Sequence, residues 1–593
     1  MKNQYDVIVI GSGVAGALTV WKLSQLGDYK ILILEAGDNG ISNGQLVLFH
    51  HTMDTQGHRG TPFAPYLSLE SRKFAPAPEN SQRELDKQKQ DRLQEFEFDK
   101  LYQYYDYSDE SKDAFKASYN RMVGGSTWSW RGNCPRFIPN DFRLFSEFGV
   151  GRDWPLDYNE LEPWYCQAEW ELGVSGNHAE FDGLHGGFRS QHFPMPGIPL
   201  SYSDQRVKAR IDGKTVRGTQ VNVVTTPQAR NTAVFDNRPA CEGHSNCIPL
   251  CPIQAKYDAT THLRRMRPPN VELRTGAVVT RLEKGSHGRV NDVYYIDWKS
   301  PNGKKEQHVH GEIVILAAHA IETPKILLMS NGLANSSGQV GQNLTDHVQF
   351  ELIATFPEPL FPFRGPQSIA SIEDFRDGEF RNERSAFRMT IGNDGWGRTG
   401  SPATVIANLL DKNRPDKGLY GSTLPAAVAD EIPRMLRLSF STEMLTEREN
   451  RIEPSDLKDA LGIPRPKLTF DIGKYSEGGL REGLATAKEL FELMGATISP
   501  KAKPLDNQQT GRVNWNTAAH IMCTTIMGDN PKDSVVDRWG RTHDVPNLWI
   551  VGSSVFTTSA TANPTLTLAA LALRTAAAIH RQMQGGSDHG YHA

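Results

Sequence analysis

The sequence predicts an α/β fold that contains more than one domain. A chain of 593 residues is too long for one simple core, since domains usually span about 100–200 residues. Near its start, the apolar run Tyr5–Ile10 ends at a glycine, an apolar-periodic stretch covers Val14–Leu26, and a second apolar run covers Lys30–Glu35. This order indicates strand, helix and strand, which is the repeating unit of a parallel sheet.

Later segments predict additional strands for this sheet and then a second domain. Alternating runs that return to the first sheet are Val271–Leu282, Val293–Trp298 and Glu312–Ala318. Strands near Val348–Thr355 and Met435–Phe440 and a helix near Glu477–Met494 predict the second domain. The last hundred residues hold an apolar strand, Leu548–Gly552, and an Ala/Leu-rich helix, Leu566–Met583.

The composition is that of a globular protein and argues against several functions. The formal net charge is −4 and no dense Lys/Arg stripe occurs, so we expect no nucleic-acid partner. The longest apolar stretches, around Ile313–Ile321 and Leu566–Leu573, are shorter than the roughly 20 residues that cross a bilayer. The first six residues run straight into a strand, so we expect no export signal on this chain.

A glycine-rich turn joins the first strand to the first helix. Gly11, Gly13 and Gly16 form a GxGxxG motif, which lets backbone N–H groups and a helix N-terminus approach a pyrophosphate. Glu35 closes the second strand 19 residues after Gly16, where a carboxylate can accept hydrogen bonds from ribose hydroxyls. Together they predict a dinucleotide site, and both NAD and FAD are compatible with this motif.

Three of the six cysteines lie within eleven residues. Cys241, Cys247 and Cys251 place three soft thiolates in one loop, and Pro252 follows the last, as in iron–sulfur ligation. Zinc is the chemical alternative, with His244 as a fourth ligand. The spacing favours a metal site over a disulfide framework.

Longer collinear motifs identify a family resemblance. They are Val123–Trp128, Arg136–Phe142, Gly149–Pro155, Ala320–Lys325 and Asp533–Asp537. With these motifs the chain resembles the glucose-methanol-choline (GMC) oxidoreductases, and more closely the FAD-bearing catalytic subunits of bacterial membrane-bound glucose and fructose dehydrogenases. The resemblance covers nearly the whole chain.

The resemblance implies a discontinuous two-domain architecture. A Rossmann-like FAD-binding domain would cover residues 1–345, with a surface excursion at 45–120 and an iron–sulfur loop at 236–256. A substrate-binding domain built on an antiparallel sheet would cover 346–505. Residues 506–593 would return to the FAD-binding domain and carry the catalytic residues.

The resemblance also implies which residues bind the cofactor. Besides the GxGxxG motif and Glu35, they are Gly124, Gly125, Ser126, Thr127, Val279, Gly552, Ser553, Pro564 and Thr565. Gly124, Gly125 and the residues up to Ser129 form a second glycine loop, and some relatives attach FAD covalently through a histidine at the position of Ser129. We therefore expect non-covalent FAD.

Two residues match the catalytic pair of the family. His520 matches the catalytic histidine and Asn563 its companion His or Asn. A neutral imidazole can accept the hydroxyl proton of an alcohol at physiological pH, while the amide donates to the same oxygen. The pair would align the carbinol C–H with the flavin.

The cysteine loop resembles one that binds a [3Fe–4S] cluster in the glucose and fructose dehydrogenase subunits. Glu242 departs from those relatives, which often carry an extra, non-ligating cysteine there. A cluster implies an exit partner, which in the relatives is a multihaem cytochrome c subunit, together with a small chaperone-like subunit that carries the export signal. The resemblance implies a periplasmic enzyme that is associated with the membrane through its partner, and a cytoplasmic location is the alternative.

The predicted function is FAD-dependent oxidation of a C–OH group of a sugar, sugar alcohol or sugar acid to a carbonyl or lactone, with electrons passing through the cluster to a cytochrome or artificial acceptor. One alternative is an oxygen-using, pyranose-oxidase-like enzyme that produces hydrogen peroxide. A non-catalytic flavoprotein is another. Trp396 and Asn408 are weak candidates for the substrate pocket, where no motif identifies one sugar.

Overall fold

A computed structural model describes most of the chain. The described residues are 4–37, 105–117, 119–243, 247–248, 251–266, 269–300, 305–393, 406, 409–411, 419–459, 461–499, 504–507 and 511–586. Most of the predicted surface excursion at 45–120, together with His244, Trp396 and Asn408, lies outside these residues.

Nineteen strands occur in the described part of the chain. In chain order they are β1 (Gln4–Ile10), β2 (Ile31–Glu35), β3 (Asp106–Tyr107), β4 (Thr215–Val216), β5 (Thr219–Gln220), β6 (Val223–Thr225), β7 (Val271–Thr275), β8 (Ala277–Lys284), β9 (Val290–Asp297), β10 (Glu306–Leu316), β11 (Val348–Thr355), β12 (Ala370–Ile372), β13 (Phe387–Gly392), β14 (Met435–Thr442), β15 (Arg451–Lys458), β16 (Pro464–Thr469), β17 (Thr497–Ile498), β18 (Asn516–Thr517) and β19 (Leu548–Ile550).

The α-helices of the described residues are α1 (Val14–Leu26), α2 (Leu144–Phe148), α3 (Tyr158–Leu172), α4 (His178–Phe181), α5 (Tyr202–Ile211), α6 (Thr260–Leu263), α7 (His319–Met329), α8 (Thr423–Arg434), α9 (Gly473–Met494) and α10 (Thr565–Met583). Short 3₁₀ turns include Gly125–Trp128 and Ser553–Val555. Across these helices, none is long and apolar enough to cross a membrane.

The first sheet has seven strands and is mostly parallel. Its order is β7-β2-β1-β10-β9-β8, with β19 pairing with β10. The pairs β7–β2, β2–β1, β1–β10 and β10–β19 are parallel, whereas β8 and β9 form an antiparallel extension. The strands Ile31–Glu35 and Gln4–Ile10 are almost entirely buried, because helices cover both faces of such a sheet.

The second sheet has seven strands and is antiparallel throughout. Its order is β17-β11-β14-β13-β12-β6, with β18 pairing with β11. The strand Val348–Thr355 alternates buried and half-buried side chains, which shows that one face meets a core. The long helix α9 packs on this face through residues that include Leu480, Ala487 and Leu490.

The observed architecture confirms the predicted fold class: a Rossmann-like parallel sheet and a second, antiparallel sheet formed by discontinuous segments. The alternating run 271–282 contains two strands rather than one, because Gly276 adopts a positive φ of 74° between β7 and β8. Strand β6, at 223–225, lies in the second sheet. The division of the chain at residues 345 and 505 stays a prediction.

Candidate active site

The first glycine turn brings β1, α1 and the segment that follows β10 into contact. Gly11 has a φ of 106°, and a Cβ there would lie 2.4 Å from the carbonyl oxygen of Ala317. A Cβ on Gly16 would lie 2.1 Å from the carbonyl oxygen of Gly11. Both positions therefore require glycine for backbone contact. Gly13 differs, because a Cβ there would meet no atom within 4 Å.

The second glycine loop lies directly against the first. A Cβ on Gly125 would approach the Cα of Gly13 to 3.2 Å, and the backbone N–H of Gly124 donates to the Ser12 hydroxyl at 3.4 Å. Thr127 holds the loop by accepting a hydrogen bond from the Ala259 N–H at 3.0 Å. Ser126 lies at the exposed side of the same turn. The two loops thus form an open cradle at the N-terminus of α1, which has no side-chain cap, and the N–H groups of its first turn fit a dinucleotide pyrophosphate.

Glu35 lies beside this cradle and is buried. One carboxylate oxygen accepts hydrogen bonds from the backbone N–H of Ser12 at 3.0 Å and from its hydroxyl at 2.6 Å, and the other accepts one from the N–H of Gly37 at 2.8 Å. Burial raises the pKa of Glu35, while its hydrogen bonds and Arg121 oppose that rise. A carboxylate has about four lone-pair sites, so Glu35 retains capacity for ribose hydroxyls.

Residues near the C-terminus approach the same cradle. Gly552 follows β19 with a φ of 118°, and a Cβ there would lie 3.8 Å from that of Ala15 on α1. Ser553 starts a 3₁₀ turn, and Pro564 and Thr565 begin α10. Gly552 therefore lies beside the start of α1, and α10 packs against α1. The remaining predicted cofactor residue, Val279, is buried in β8 opposite Tyr295, and every one of these cofactor roles stays a prediction.

His520 and Asn563 lie side by side although 43 residues separate them. The amide nitrogen of Asn563 is 3.1 Å from Nε2 of His520. His520 follows the short strand β18, which pairs with β11 of the second sheet, whereas Asn563 immediately precedes α10 of the first domain. The pair therefore sits where the two halves of the molecule meet.

Two further residues of this site were not found from the sequence. His347 Nδ1 lies 2.8 Å from His520 Nδ1, and His347 Nε2 lies 3.0 Å from the carbonyl oxygen of Ser559. One oxygen of Asp346 accepts the backbone N–H groups of both His347 and His520, each at 2.7 Å. The only available signal was an Asp-His pair at the start of the apolar strand Val348–Thr355.

The surroundings keep the imidazoles of this site neutral. Burial is the main cause that holds the pKa of His520 well below its usual range, and His347, Arg131 and Arg388 lower it further. Burial also lowers the pKa of His347 to about 4. Burial raises the pKa of Asp346 to about 6, against hydrogen bonds that stabilise the carboxylate. A neutral His520 can accept a proton at physiological pH.

Arg388 adjoins Asn563 from the second sheet. Its guanidinium donates to Glu373 at 2.6 Å and to the Thr226 hydroxyl at 3.0 Å, and its remaining nitrogen donates to Asn563 Oδ1 at 3.4 Å. Arg376 shares the same buried glutamate at 3.2 Å. These contacts fix the guanidinium, so Arg388 presents a fixed donor to the amide.

The cysteine loop lies behind the second glycine loop. The buried side chain of Arg230 donates to Cys247 Sγ at 3.1 Å, and buried Lys256 donates to the carbonyl oxygens of Cys247 and Trp128 at 2.9 and 2.8 Å. Burial raises the pKa of the Cys241 thiol, which Arg230 opposes, and the neighbouring Cys247 and Cys251 raise it further.

This loop has the donor types and charges of an iron–sulfur site. The buried side chain of Arg230 contacts Cys247 Sγ, and that of Lys256 contacts the Cys247 carbonyl oxygen, with the Asp258 carboxylate nearby. Two buried cations beside three cysteines fit an anionic group. In the part of the chain that the structure describes, no three His, Cys, Asp or Glu side chains are arranged closely enough to hold a metal ion. The types of residue present fit an iron–sulfur cluster, whereas the spacing of the cysteine side chains is not that of a cluster's ligands.

Comparison with known proteins identifies the chain's relatives. Residues 5–349 and 446–572 match the two family profiles described as GMC oxidoreductase. The fructose dehydrogenase large subunit of Gluconobacter japonicus is 32% identical, covering 98% of each chain. The 2-methyl-1,2-propanediol dehydrogenase of Mycolicibacterium austroafricanum is 26% identical, covering 98% of this chain and 96% of that one. Pyridoxine 4-oxidase from Mesorbium loti has a similar fold, with a TM-score of 0.59 and 16% identity over 97% of this chain and 99% of that one.

The fold and site together define a flavin-dependent oxidoreductase. The family match spans more than half of the residues, and the first relative matches over nearly the whole length. The chain belongs to the GMC oxidoreductase family, which confirms the predicted resemblance. It is an FAD-dependent enzyme of the kind that acts on CH–OH donors.

Proposed function

We propose that this protein is a dehydrogenase that oxidises a C–OH group of a sugar, sugar alcohol or sugar acid to a carbonyl or lactone. The observation that carries the proposal is the 3.1 Å contact between Asn563 Nδ2 and His520 Nε2, in a half-buried site flanked by Arg131 and Arg388. The likeness to a fructose dehydrogenase large subunit supports the sugar class.

The protein's own residues prepare the alcohol for oxidation. His520 Nε2 accepts the hydroxyl proton, and Asn563 Nδ2 donates a hydrogen bond to the same oxygen. This two-point contact orients the carbinol C–H. Non-covalent FAD, held by the two glycine loops, Glu35 and the start of α10, supplies the hydride acceptor when bound.

We propose further that Cys241, Cys247 and Cys251 hold a [3Fe–4S] cluster, which would supply a one-electron relay to an external acceptor. The two buried cations, Arg230 and Lys256, support an anionic group at this position. Lys256 donates to carbonyl oxygens of both the cysteine loop and the second glycine loop, at Cys247 and Trp128, so it connects the two sites.

A relay of this kind requires partners. We propose a multihaem cytochrome c subunit as acceptor and a small chaperone-like subunit that carries the export signal, which would deliver the complex to the periplasm and associate it with the membrane. The name "large subunit" of the Gluconobacter relative supports a multi-subunit assembly. A cytoplasmic enzyme that uses another acceptor is the alternative. Fractionation of cells that produce the protein into periplasm, membrane and cytoplasm distinguishes the two locations.

The first experiment is anaerobic absorption spectroscopy of the purified holoprotein with a panel of aldoses, ketoses, polyols and sugar acids. We expect one class to bleach the flavin band, and His520→Ala to abolish the bleaching while retaining FAD. A flavin that stays oxidised with every compound contradicts the sugar assignment. In air, stoichiometric hydrogen peroxide would instead support the pyranose-oxidase-like alternative, whereas slow oxygen consumption with fast dye reduction supports a dehydrogenase.

The cluster proposal has its own test. We expect anaerobically purified protein to contain about three irons per chain, with acid-labile sulfide and an iron–sulfur electron paramagnetic resonance signal. Cys247→Ser should remove that signal and stop electron transfer to cytochrome c while leaving flavin reduction by the sugar intact. Zinc in place of iron refutes the cluster, and simultaneous loss of flavin reduction would show a structural role for the loop.

A further inference from the structure

A continuous chain of hydrogen bonds runs through the catalytic pair. It starts at the Ser559 carbonyl, which lies 3.0 Å from His347 Nε2, and continues through the 2.8 Å contact between the Nδ1 atoms of His347 and His520. It then passes from His520 Nε2 to Asn563 Nδ2 at 3.1 Å and ends where Arg388 donates to Asn563 Oδ1 at 3.4 Å. Each terminal group can act in one direction only: a carbonyl accepts and a guanidinium donates.

Starting from the carbonyl end, every proton has one position. The Ser559 oxygen carries no proton, so His347 Nε2 must donate to it. A neutral imidazole has one N–H, so His347 Nδ1 carries a lone pair and accepts. His520 must therefore donate through Nδ1, which leaves its Nε2 with the lone pair.

The arginine end gives the same assignment independently. Arg388 can only donate, so it selects the oxygen of the Asn563 amide and turns the amide nitrogen toward His520. An amide nitrogen only donates, so His520 Nε2 must be an acceptor. Glu373 holds Arg388 in place at 2.6 Å.

The backbone also fixes the two imidazoles relative to each other. A single carboxylate oxygen of Asp346 accepts the backbone N–H groups of His347 and His520, at 2.7 Å each, although the two histidines are 173 residues apart. The Nδ1–Nδ1 contact is therefore set by the junction of β11 with the segment after β18. The low pKa values of both histidines agree with two neutral rings.

We propose that His347 is a positioning residue that holds the catalytic base in the tautomer with its proton on Nδ1 and its lone pair on Nε2, and that Arg388 sets the matching orientation of Asn563. The inference rests on the proposed function. In the proposed reaction the substrate would lose its hydroxyl proton to His520 Nε2, and FAD, when bound, would supply the acceptor for the carbinol hydride as the C=O bond forms. The opposite tautomer would present an N–H to the hydroxyl and could not accept its proton.

The test compares two substitutions of His347 in the FAD-loaded protein. His347→Leu removes the acceptor for the Nδ1 proton, whereas His347→Asn can present its amide oxygen near the former Nδ1 position. His580→Leu is the matched control, because His580 makes a 2.6 Å hydrogen bond to Tyr29 on the opposite side of the first domain and lies outside the site. The rate of flavin reduction and the substrate dissociation constant are measured anaerobically by stopped flow, with the sugar that bleaches the wild-type flavin.

We expect His347→Leu to slow flavin reduction about tenfold, the factor that corresponds to one buried hydrogen bond, with an unchanged substrate dissociation constant. His347→Asn should recover most of the rate, and the control should match the wild type. A wild-type rate in His347→Leu, with His520→Ala inactive, refutes the inference and leaves the proposed function standing. If His347→Leu and His520→Ala both reduce the flavin at the wild-type rate, the proposed function is refuted instead.

A second measurement does not depend on variants of His347. Nitrogen-15 spectra of histidine-labelled wild-type protein, with His520 assigned through His520→Ala, distinguish a protonated from an unprotonated ring nitrogen. We expect His520 to show a protonated Nδ1 and an unprotonated Nε2 before any substrate is added. The reverse pattern, or a rapidly averaging pair, overturns the inference even if His347→Leu does not fold.

Discussion

Alanine substitution at two of the first-turn glycines should separate cofactor binding from folding. At Gly13 the backbone has a φ of −66°, which any residue adopts, and an added Cβ meets no atom of the protein within 4 Å. The methyl group would instead occupy the open cradle between the two glycine loops. At Gly16 the Cβ would lie 2.1 Å from the Gly11 carbonyl oxygen, inside the packed junction of strand and helix.

The expected magnitudes follow from these contacts. Gly13→Ala should leave the apoprotein as stable as the wild type or more stable by about 0.4–1 kcal/mol, because it restricts the unfolded chain. Its methyl group should weaken FAD binding by about 1–3 kcal/mol, or roughly 5- to 150-fold, through overpacking against the pyrophosphate. In Gly16→Ala the clash with the Gly11 carbonyl should cost more than the gain of about 1 kcal/mol from helix propensity. The apoprotein should therefore lose about 1–3 kcal/mol of stability.

The assay is an FAD titration of deflavinated protein, followed by flavin fluorescence, together with chemical unfolding of the same apoproteins. Wild-type FAD affinity in Gly13→Ala would refute the placement of the pyrophosphate in this cradle. Equal loss of stability in both variants would refute the inference that Gly13 faces open space.

Three other substitutions or conditions test separate parts of the structure. Because burial holds the pKa of His520 well below 6.5, the base is already neutral near pH 6, and the rate of flavin reduction in stopped flow should stay constant from about pH 6 to 8.5; a rise in this rate through pH 6.5 would show a histidine with an ordinary pKa. Replacing Arg381 with Met leaves Asp141 and Glu443 buried without their shared cation, so urea unfolding should show a loss of about 3–5 kcal/mol, and an unchanged midpoint would contradict this. Lys256→Met should slow electron transfer to cytochrome c while leaving flavin reduction by the sugar unchanged. An unchanged rate of cytochrome c reduction would contradict the role of Lys256 in connecting the two sites.

Periodicity predicted the regular elements well, because burial imposes it directly. The run Val348–Thr355 alternates in the sequence and in its exposure, and the helix predicted near Glu477–Met494 extends over Gly473–Met494. The three-residue strand Val223–Thr225 could not be placed in this way, since its length gives no measurable period and its partner, Ala370–Ile372, is about 150 residues away.

From the sequence, site residues could be predicted only where they lie in motifs shared with the family. His520 and Asn563 were found through the family resemblance, and the structure brings them to 3.1 Å. His347 was missed because its only local signal is the preceding Asp346 at the start of an apolar strand, and its role depends on a contact across 173 residues. Such a contact is created by strand pairing, which one sequence does not specify.

The catalytic pair depends on both domains, and this has a mechanistic consequence. His520 is positioned through β18, β11 and Asp346, all associated with the second sheet, whereas the backbone of Asn563 lies just before α10 of the cofactor domain and its amide is contacted by Arg388 of the second sheet. A small displacement between the domains would therefore separate the base from its amide partner without moving either relative to its own sheet. Catalysis requires the two groups on one substrate oxygen, so the rate of flavin reduction should respond to packing at this junction more steeply than FAD affinity does.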